Sequence, residues 1–226
     1  MGELSNETQA AIAGREQAGG SLAPPLWATT AFSSTDPADA ALAAASTRPS
    51  RFYTRYGNPT INAFEQAIAS LEGAEAALAF GSGMGAIAST VLGLCSQGDH
   101  VVAQRQLYGG TLFFLQAVCP RFGIDVTLVD ATEPGAFRNA VRPGRTMVVL
   151  AETPSNPRLA VADLEELGSL RGPFTVVDST FATPMVQRPL DFGVSMVLHS
   201  ATKAIAGHND ATLGVIAGSA DLVDAV

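Results

Sequence analysis

Val197-Leu-His-Ser-Ala-Thr-Lys203-Ala-Ile-Ala-Gly-His-Asn-Asp210 contains the only lysine in a chain of 226 residues. Every other permanent positive charge is carried by arginine. The lysine follows the apolar run Val194 to Leu198 and precedes Ala204-Ile205-Ala206. A solvated lysine usually has Glu, Gln or Asp beside it. An amine that must shed its proton to do chemistry needs an apolar setting of this kind.

Working outward, the composition describes a globular chain of one or two domains, long enough to bury a sizeable core. It is 47% hydrophobic and 15% charged, with a net charge of −8. That balance, without any basic cluster, argues against nucleic-acid binding. No uncharged apolar stretch approaches the roughly 20 residues of a membrane span. The opening MGELSNETQA lacks the basic-then-apolar pattern of a signal peptide. Cys95 and Cys119 read as small apolar residues inside helices, and with three histidines and no Cys-x-x-Cys no metal site is expected. A cytoplasmic protein is the expectation.

Residues 1–60 read as an irregular arm, broken by Gly19-Gly20, Pro24-Pro25 and Ser33-Ser-Thr-Asp-Pro37, with one short helix in its Ala-rich stretch. From Thr60 onward helices and strands alternate. Strands are predicted at 76–80, 100–103, 126–129, 146–150, 175–177, 194–198 and 213–217. Helices are predicted at 60–71, 84–94, 111–121, near 134–141 and 162–170. Strands apolar on both faces and separated by helices specify an α/β fold, a mostly parallel sheet with helices on both faces. The closing Ala220 to Val226 reads as the first turns of a helix with no stop signal, as though the chain were cut there.

Gly81-Ser-Gly-Met-Gly-Ala86 follows a strand and opens a helix, where free amides and the helix dipole bind phosphate. It fits a dinucleotide fingerprint formally, but the next strand ends Val102-Ala-Gln-Arg105 without the acidic residue that a ribose needs. Pyridoxal phosphate asks for a lysine, a carboxylate at its ring nitrogen, an aromatic over its face and phosphate donors. Lys203, Asp178 at the end of a predicted strand, Tyr108 and the glycine loop supply these parts.

The chain resembles the Cys/Met-metabolism family of pyridoxal phosphate enzymes, which includes cystathionine γ-synthase, cystathionine γ-lyase, methionine γ-lyase and the O-acylhomoserine sulfhydrylases. The matching segments are Tyr53-Thr-Arg-Tyr-Gly-Asn-Pro-Thr60, Ser82-Gly-Met84, Leu107-Tyr-Gly-Gly-Thr111, Glu152-Thr-Pro-Ser-Asn-Pro157, Val177-Asp-Ser-Thr-Phe-Ala-Thr-Pro184 and His199-Ser-Ala-Thr-Lys203. The resemblance implies the pyridoxal-phosphate transferase fold of type I. By it, Lys203 forms the imine with the coenzyme, Asp178 pairs with the ring nitrogen and Tyr108 stacks on the ring. The amides of Gly83 and Met84 and the hydroxyls of Ser200 and Thr202 hold the phosphate. Asn156 lies beside the phenolic oxygen, with Glu152 behind it. Tyr53 and Arg55 reach a neighbouring subunit's phosphate, which implies a homodimer or homotetramer with sites at the interface. Ser179 stands where members usually have Asn, and Gly110 where methionine γ-lyases often have Cys.

The resulting expectation is a 1–60 arm and a 61–226 coenzyme domain, with the family's C-terminal domain and its carboxylate-binding arginine absent. The implied activity is γ-elimination or γ-replacement on methionine, cystathionine or an O-acylhomoserine. Two other readings stay open: an inactive remnant kept as a binding partner, and a dinucleotide-binding protein.

Overall fold

The apolar runs of the second part of the chain become the strands of one sheet. The computed structural model describes residues 4–15, 20–46 and 49–226. Gly19 of the expected Gly19-Gly20 break, and the first three residues of the opening segment, lie outside the described residues. The chain forms two units, Met1–Leu71 and Glu72–Val226.

In the first unit, α1 (Asn6–Ile12) is capped by Ser5, whose side chain accepts from the Thr8 amide. The sequence reading missed this helix, although a Ser before an Asn-Glu-Thr-Gln run is an N-terminal signal. The Ala-rich helix is α2 (Pro37–Ala45), with Asp36 as cap and Pro at its start. α3 (Pro59–Glu72) follows the Gly-Asn-Pro break. Asn58 is buried and ties this corner together: its amide donates to Trp27 O at 3.0 Å and Thr54 Oγ1 at 3.1 Å, and its oxygen accepts from Thr60 N at 2.9 Å. Arg55 lies over the exposed rings of Tyr53 and Tyr56, 5.1 and 5.8 Å from their centroids.

In the second unit the strands are β1 (Ala76–Phe80), β2 (His100–Gln104), β3 (Asp125–Val129), β4 (Thr146–Glu152), β5 (Phe174–Asp178), β6 (Met196–His199) and β7 (Gly214–Gly218). Among the described residues they form a seven-stranded sheet in the order β1-β7-β6-β5-β4-β2-β3. Only β7 runs against its neighbours, pairing antiparallel with β1 and β6. The remaining pairs are parallel. The mostly parallel sheet is as expected.

Successive residues of a strand point to opposite faces, and the two cores follow that rule. Val101, Ala103, Val148, Leu150, Val176 and Leu198 pack on one side with α4 (Gly83–Leu94) and α9 (Ala220–Asp224). Val102, Val149, Ala151 and Val177 pack on the other with α6 (Ala136–Ala140) and α7 (Leu164–Ser169). Removing each such Val or Leu side chain from water is worth about 1.5–3 kcal/mol. That is why the strands read as continuous apolar runs rather than as alternation.

One predicted helix is not continuous. The segment expected at 111–121 is α5 (Gly109–Phe113), then a wide π turn at Phe114–Val118, then a tight turn at Cys119–Phe122 that ends on Gly123. Pro120 has no amide to donate to the carbonyl four residues back, and its ring crowds that carbonyl. The ladder therefore breaks ahead of it.

Candidate active site

β4 and β5 are in register at their carboxyl ends, Glu152 beside Asp178, so two carboxylates leave the sheet edge together. Carboxyl ends of parallel strands are where sites form in open α/β sheets. Asp178 Oδ1 accepts the Thr180 amide at 3.0 Å and a short bond from the Thr180 hydroxyl. Among the described residues both hydrogen bonds of the carboxylate fall on Oδ1, and Asp178 lines a cavity of about 250 Å³. Burial pushes the Asp178 carboxyl above the usual range, and the Thr180 bonds and the nearby His199 pull it back.

Glu152 is buried too, and both its oxygens are used. Oε2 accepts from the Tyr108 amide at 2.7 Å and Oε1 from the Asn156 amide at 2.6 Å. Burial is the largest cause of its rise to about 7, Asp178 adds to it, and the two amides oppose it. Gln104, at the end of β2, clasps the Glu152 backbone: Nε2 donates to its carbonyl at 2.8 Å and Oε1 accepts from its amide at 3.1 Å. The β2 tip thus offers an inward-turned amide rather than a ribose-binding acid, which removes the support for dinucleotide binding.

β6 ends at His199, and the chain then turns through Ser200 to Ala206. Lys203 lies on this turn, exposed, on the wall of the cavity and outside every ion pair of the described residues. The Ser200 amide donates to Thr180 Oγ1 at 2.7 Å, and among the described residues its hydroxyl makes no hydrogen bond. Opposite lies the start of α4. A β-carbon on Gly83 would stand 2.6 Å from Ser200 Cβ, so only glycine lets the helix start approach the turn this closely. Ser82 caps α4 by accepting from the Gly85 amide at 3.0 Å. The amides of Gly83 and Met84 have no intrahelical acceptor and stay available to an anion. The Thr202 hydroxyl donates to Leu213 O at 3.1 Å and accepts from Leu213 N at 2.9 Å. Holding a phosphate with that proton means giving up the bond to Leu213.

Tyr108 begins α5 with its ring half exposed on the cavity wall. It fills the space that a side chain at position 110 would need: a β-carbon on Gly110 would lie 2.6 Å from Tyr108 Cε1 and 3.2 Å from Met84 Sδ.

The cavity therefore gathers Gly83, Met84, Tyr108, Glu152, Asn156, Asp178, Ser200, Thr202 and Lys203. Tyr53 and Arg55 belong to the first unit. Ser82, Thr180, Phe181 and Thr212 also line it and were not singled out from the sequence. Ser82 could have been found as a helix cap. Thr180 had a signal in its Asp-x-Thr spacing, which favours a side-chain turn. Phe181 and Thr212 had none.

The donor set suits pyridoxal phosphate. A lone amine without a counter-ion can form an imine. A buried carboxylate at the cavity, held through one oxygen by Thr180, suits a cationic donor such as a ring N–H. Two free amides at a helix start and a free hydroxyl suit a phosphate.

Comparisons with known proteins agree. The family model for Cys/Met metabolism PLP-dependent enzymes matches residues 7–225. The chain is 41% identical over 211 residues to L-methionine gamma-lyase of Pseudomonas putida, covering 92% of this chain and 53% of that protein. It is 46% identical over 168 residues to cystathionine beta-lyase MetC of Bacillus subtilis, covering 73% and 43%. The crystal structure of metB from Corynebacterium glutamicum superposes with a TM-score of 0.89 at 35% identity, covering 98% of this chain and 57% of that one. The chain spans about half the length of the curated relatives it matches. One of these is a beta-lyase, a reaction outside the sequence-based expectation. With its fold, its site and its sequence in agreement, the chain belongs to the Cys/Met metabolism family of pyridoxal-phosphate-dependent enzymes.

Proposed function

We propose that this chain is the coenzyme-binding part of an enzyme of sulfur amino-acid metabolism, one that carries out γ-elimination or γ-replacement on methionine, cystathionine or an O-acylhomoserine. The observation that carries this reading is the convergence on one cavity of an unpaired lysine and a half-clamped buried aspartate. Bound there, pyridoxal phosphate supplies an electron sink for charge that develops at the substrate Cα.

Each side chain has a task in this reading. Lys203 Nζ anchors the coenzyme; once freed by the substrate amine, it takes the Cα proton and then moves a proton at Cβ. Asp178 Oδ2 accepts the ring N–H and keeps that nitrogen charged. Tyr108 lies over the ring, and its hydroxyl assists departure of the γ substituent. Gly83, Met84, Ser200 and Thr202 hold the phosphate. Asn156 sits by the phenolic oxygen, and Glu152 fixes both Tyr108 and Asn156 through their amides.

The arm of residues 1–60 serves a neighbouring subunit, and 61–226 form the coenzyme domain. Arg55, held over Tyr53 and Tyr56, presents a guanidinium suited to bidentate phosphate binding, so the working form is a homodimer or homotetramer. Two buried unpaired cysteines, Cys95 and Cys119, support a cytoplasmic setting. An assembled cavity favours the enzyme over an inactive remnant.

Borohydride reduction of the coenzyme-loaded chain followed by peptide mapping tests the reading. The pyridoxyl group is expected on Lys203. Reduced, labelled protein with Lys203 unmodified contradicts it.

A further inference from the structure

Resting on the coenzyme reading above, we infer that Thr180 is a positioning residue that couples the ring-nitrogen end of the coenzyme site to its phosphate end. Thr180 stands two residues beyond Asp178 on the loop that leaves β5. Its amide donates to Asp178 Oδ1 at 3.0 Å, and its hydroxyl bonds to the same oxygen. The same hydroxyl meets the Ser200 amide at 2.7 Å, on the loop that leaves β6.

The direction of these bonds is forced. An amide N–H can only donate, so Thr180 Oγ1 is the acceptor toward Ser200. Its single proton is then committed to Asp178 Oδ1, which as a carboxylate can only accept. One hydroxyl therefore does two things. It favours the charged form of a carboxyl that burial would otherwise neutralise, at a residue that lines the cavity. It also fixes the backbone of Ser200, whose Cβ lies against the glycine at the start of α4. From Ser200 the tie continues to the lysine turn, where the Lys203 amide donates to the Ser200 carbonyl at 3.0 Å. The relation is tertiary: the two loops are 20 residues apart in sequence.

Thr180→Val keeps the shape and β-branching but removes the hydroxyl; Thr180→Ser keeps the hydroxyl. Both are compared with the parent 226-residue chain by titration with pyridoxal phosphate. The valine variant is expected to bind about 10- to 100-fold more weakly, as loss of a bond to a charged group implies. Its bound-coenzyme absorption should also change with pH over a different range, because Asp178 then holds the ring proton less firmly. The serine variant should stay within about threefold of the parent on both measures. Thr180→Ala is the second hydroxyl deletion if the valine chain does not fold. A valine or alanine variant that matches the parent in affinity and spectrum overturns the inference alone. So does a serine variant as impaired as the valine one. A parent chain that takes up no pyridoxal phosphate overturns the coenzyme reading, and this inference with it.

Discussion

His199 Nε2 and Glu72 Oε1 lie 2.6 Å apart with their side chains 1% and 0% exposed. Both residues belong to the second unit, Glu72 at its start and His199 at the end of β6, yet the pair is only half satisfied: among the described residues Glu72 Oε2 and His199 Nδ1 are buried without partners. Removing one member strands the other. Glu72→Ala should destabilise the chain by about 3–5 kcal/mol, whereas replacing both with apolar residues of similar volume should recover most of that loss. Guanidinium unfolding of the single and double variants measures it. A single variant as stable as the parent would show that the pair does not hold the fold.

Gly83→Ala places a methyl 2.6 Å from Ser200 Cβ and 2.9 Å from its Cα. Backbone must move, at about 1–3 kcal/mol, and the movement opens the proposed phosphate cradle. Lower thermal stability together with weaker pyridoxal phosphate binding is expected. Unchanged affinity would separate the cradle from the coenzyme.

Two buried groups should pull the pH dependence of stability in opposite directions. Glu152, ordinarily near 4.5, is raised to about 7 by burial first of all. Between those values the folded chain binds more protons than the unfolded one, so stability falls as pH rises, by up to about 3 kcal/mol. His100 is lowered from its ordinary 6.5, chiefly by burial and then by Arg142. Thr146 Oγ1 already accepts from the Arg142 amide at 2.7 Å, so its proton goes to His100 Nδ1 at 2.8 Å. That oxygen is poorly placed to accept a second proton from the ring. The His100 contribution is complete above pH 6.5 and is lost as pH falls below it. Urea midpoints at pH 5 and 7 test both. Relative to Glu152→Gln the parent should gain stability on acidification, and relative to His100→Gln it should lose stability.

Asp178→Asn keeps the Thr180 amide bond but cannot hold a ring proton. The coenzyme should remain bound while deuterium uptake at the Cα of methionine falls at least about 100-fold, roughly 3 kcal/mol in the barrier. Exchange within a few-fold of the parent would make the carboxylate a purely structural group.

The strands were legible because burial on both faces writes itself as short apolar runs, and Ala76 to Phe80 was read to the residue. The helix at 111–121 was misjudged because Pro120 acts on a carbonyl one turn upstream, an effect that periodicity does not register. α1 was missed because its cap signal sits in a stretch with no apolar face. Of the site, Lys203, Asp178, Tyr108 and the glycine loop were recognisable from residue type and order. Thr180 was legible only as a local turn partner of Asp178, since its bond to Ser200 joins two separate loops, and Phe181 and Thr212 left no signal.

By itself the sequence determined the set of chemical parts: one amine, one carboxylate at a strand end, one ring and one glycine-rich helix start. Local rules suffice for these, since each depends on its own residue type and the pattern just around it. Only the tertiary structure decided that β7 runs antiparallel, that Glu152 and Asp178 emerge side by side, and that the Thr180 hydroxyl bridges Asp178 Oδ1 and the Ser200 amide. Those outcomes depend on strand order, register and hydrogen bonds between segments far apart in the chain, as where Ala76 pairs with Gly218 and Glu152 with Asp178. Such long-range pairings leave no periodic trace in either segment.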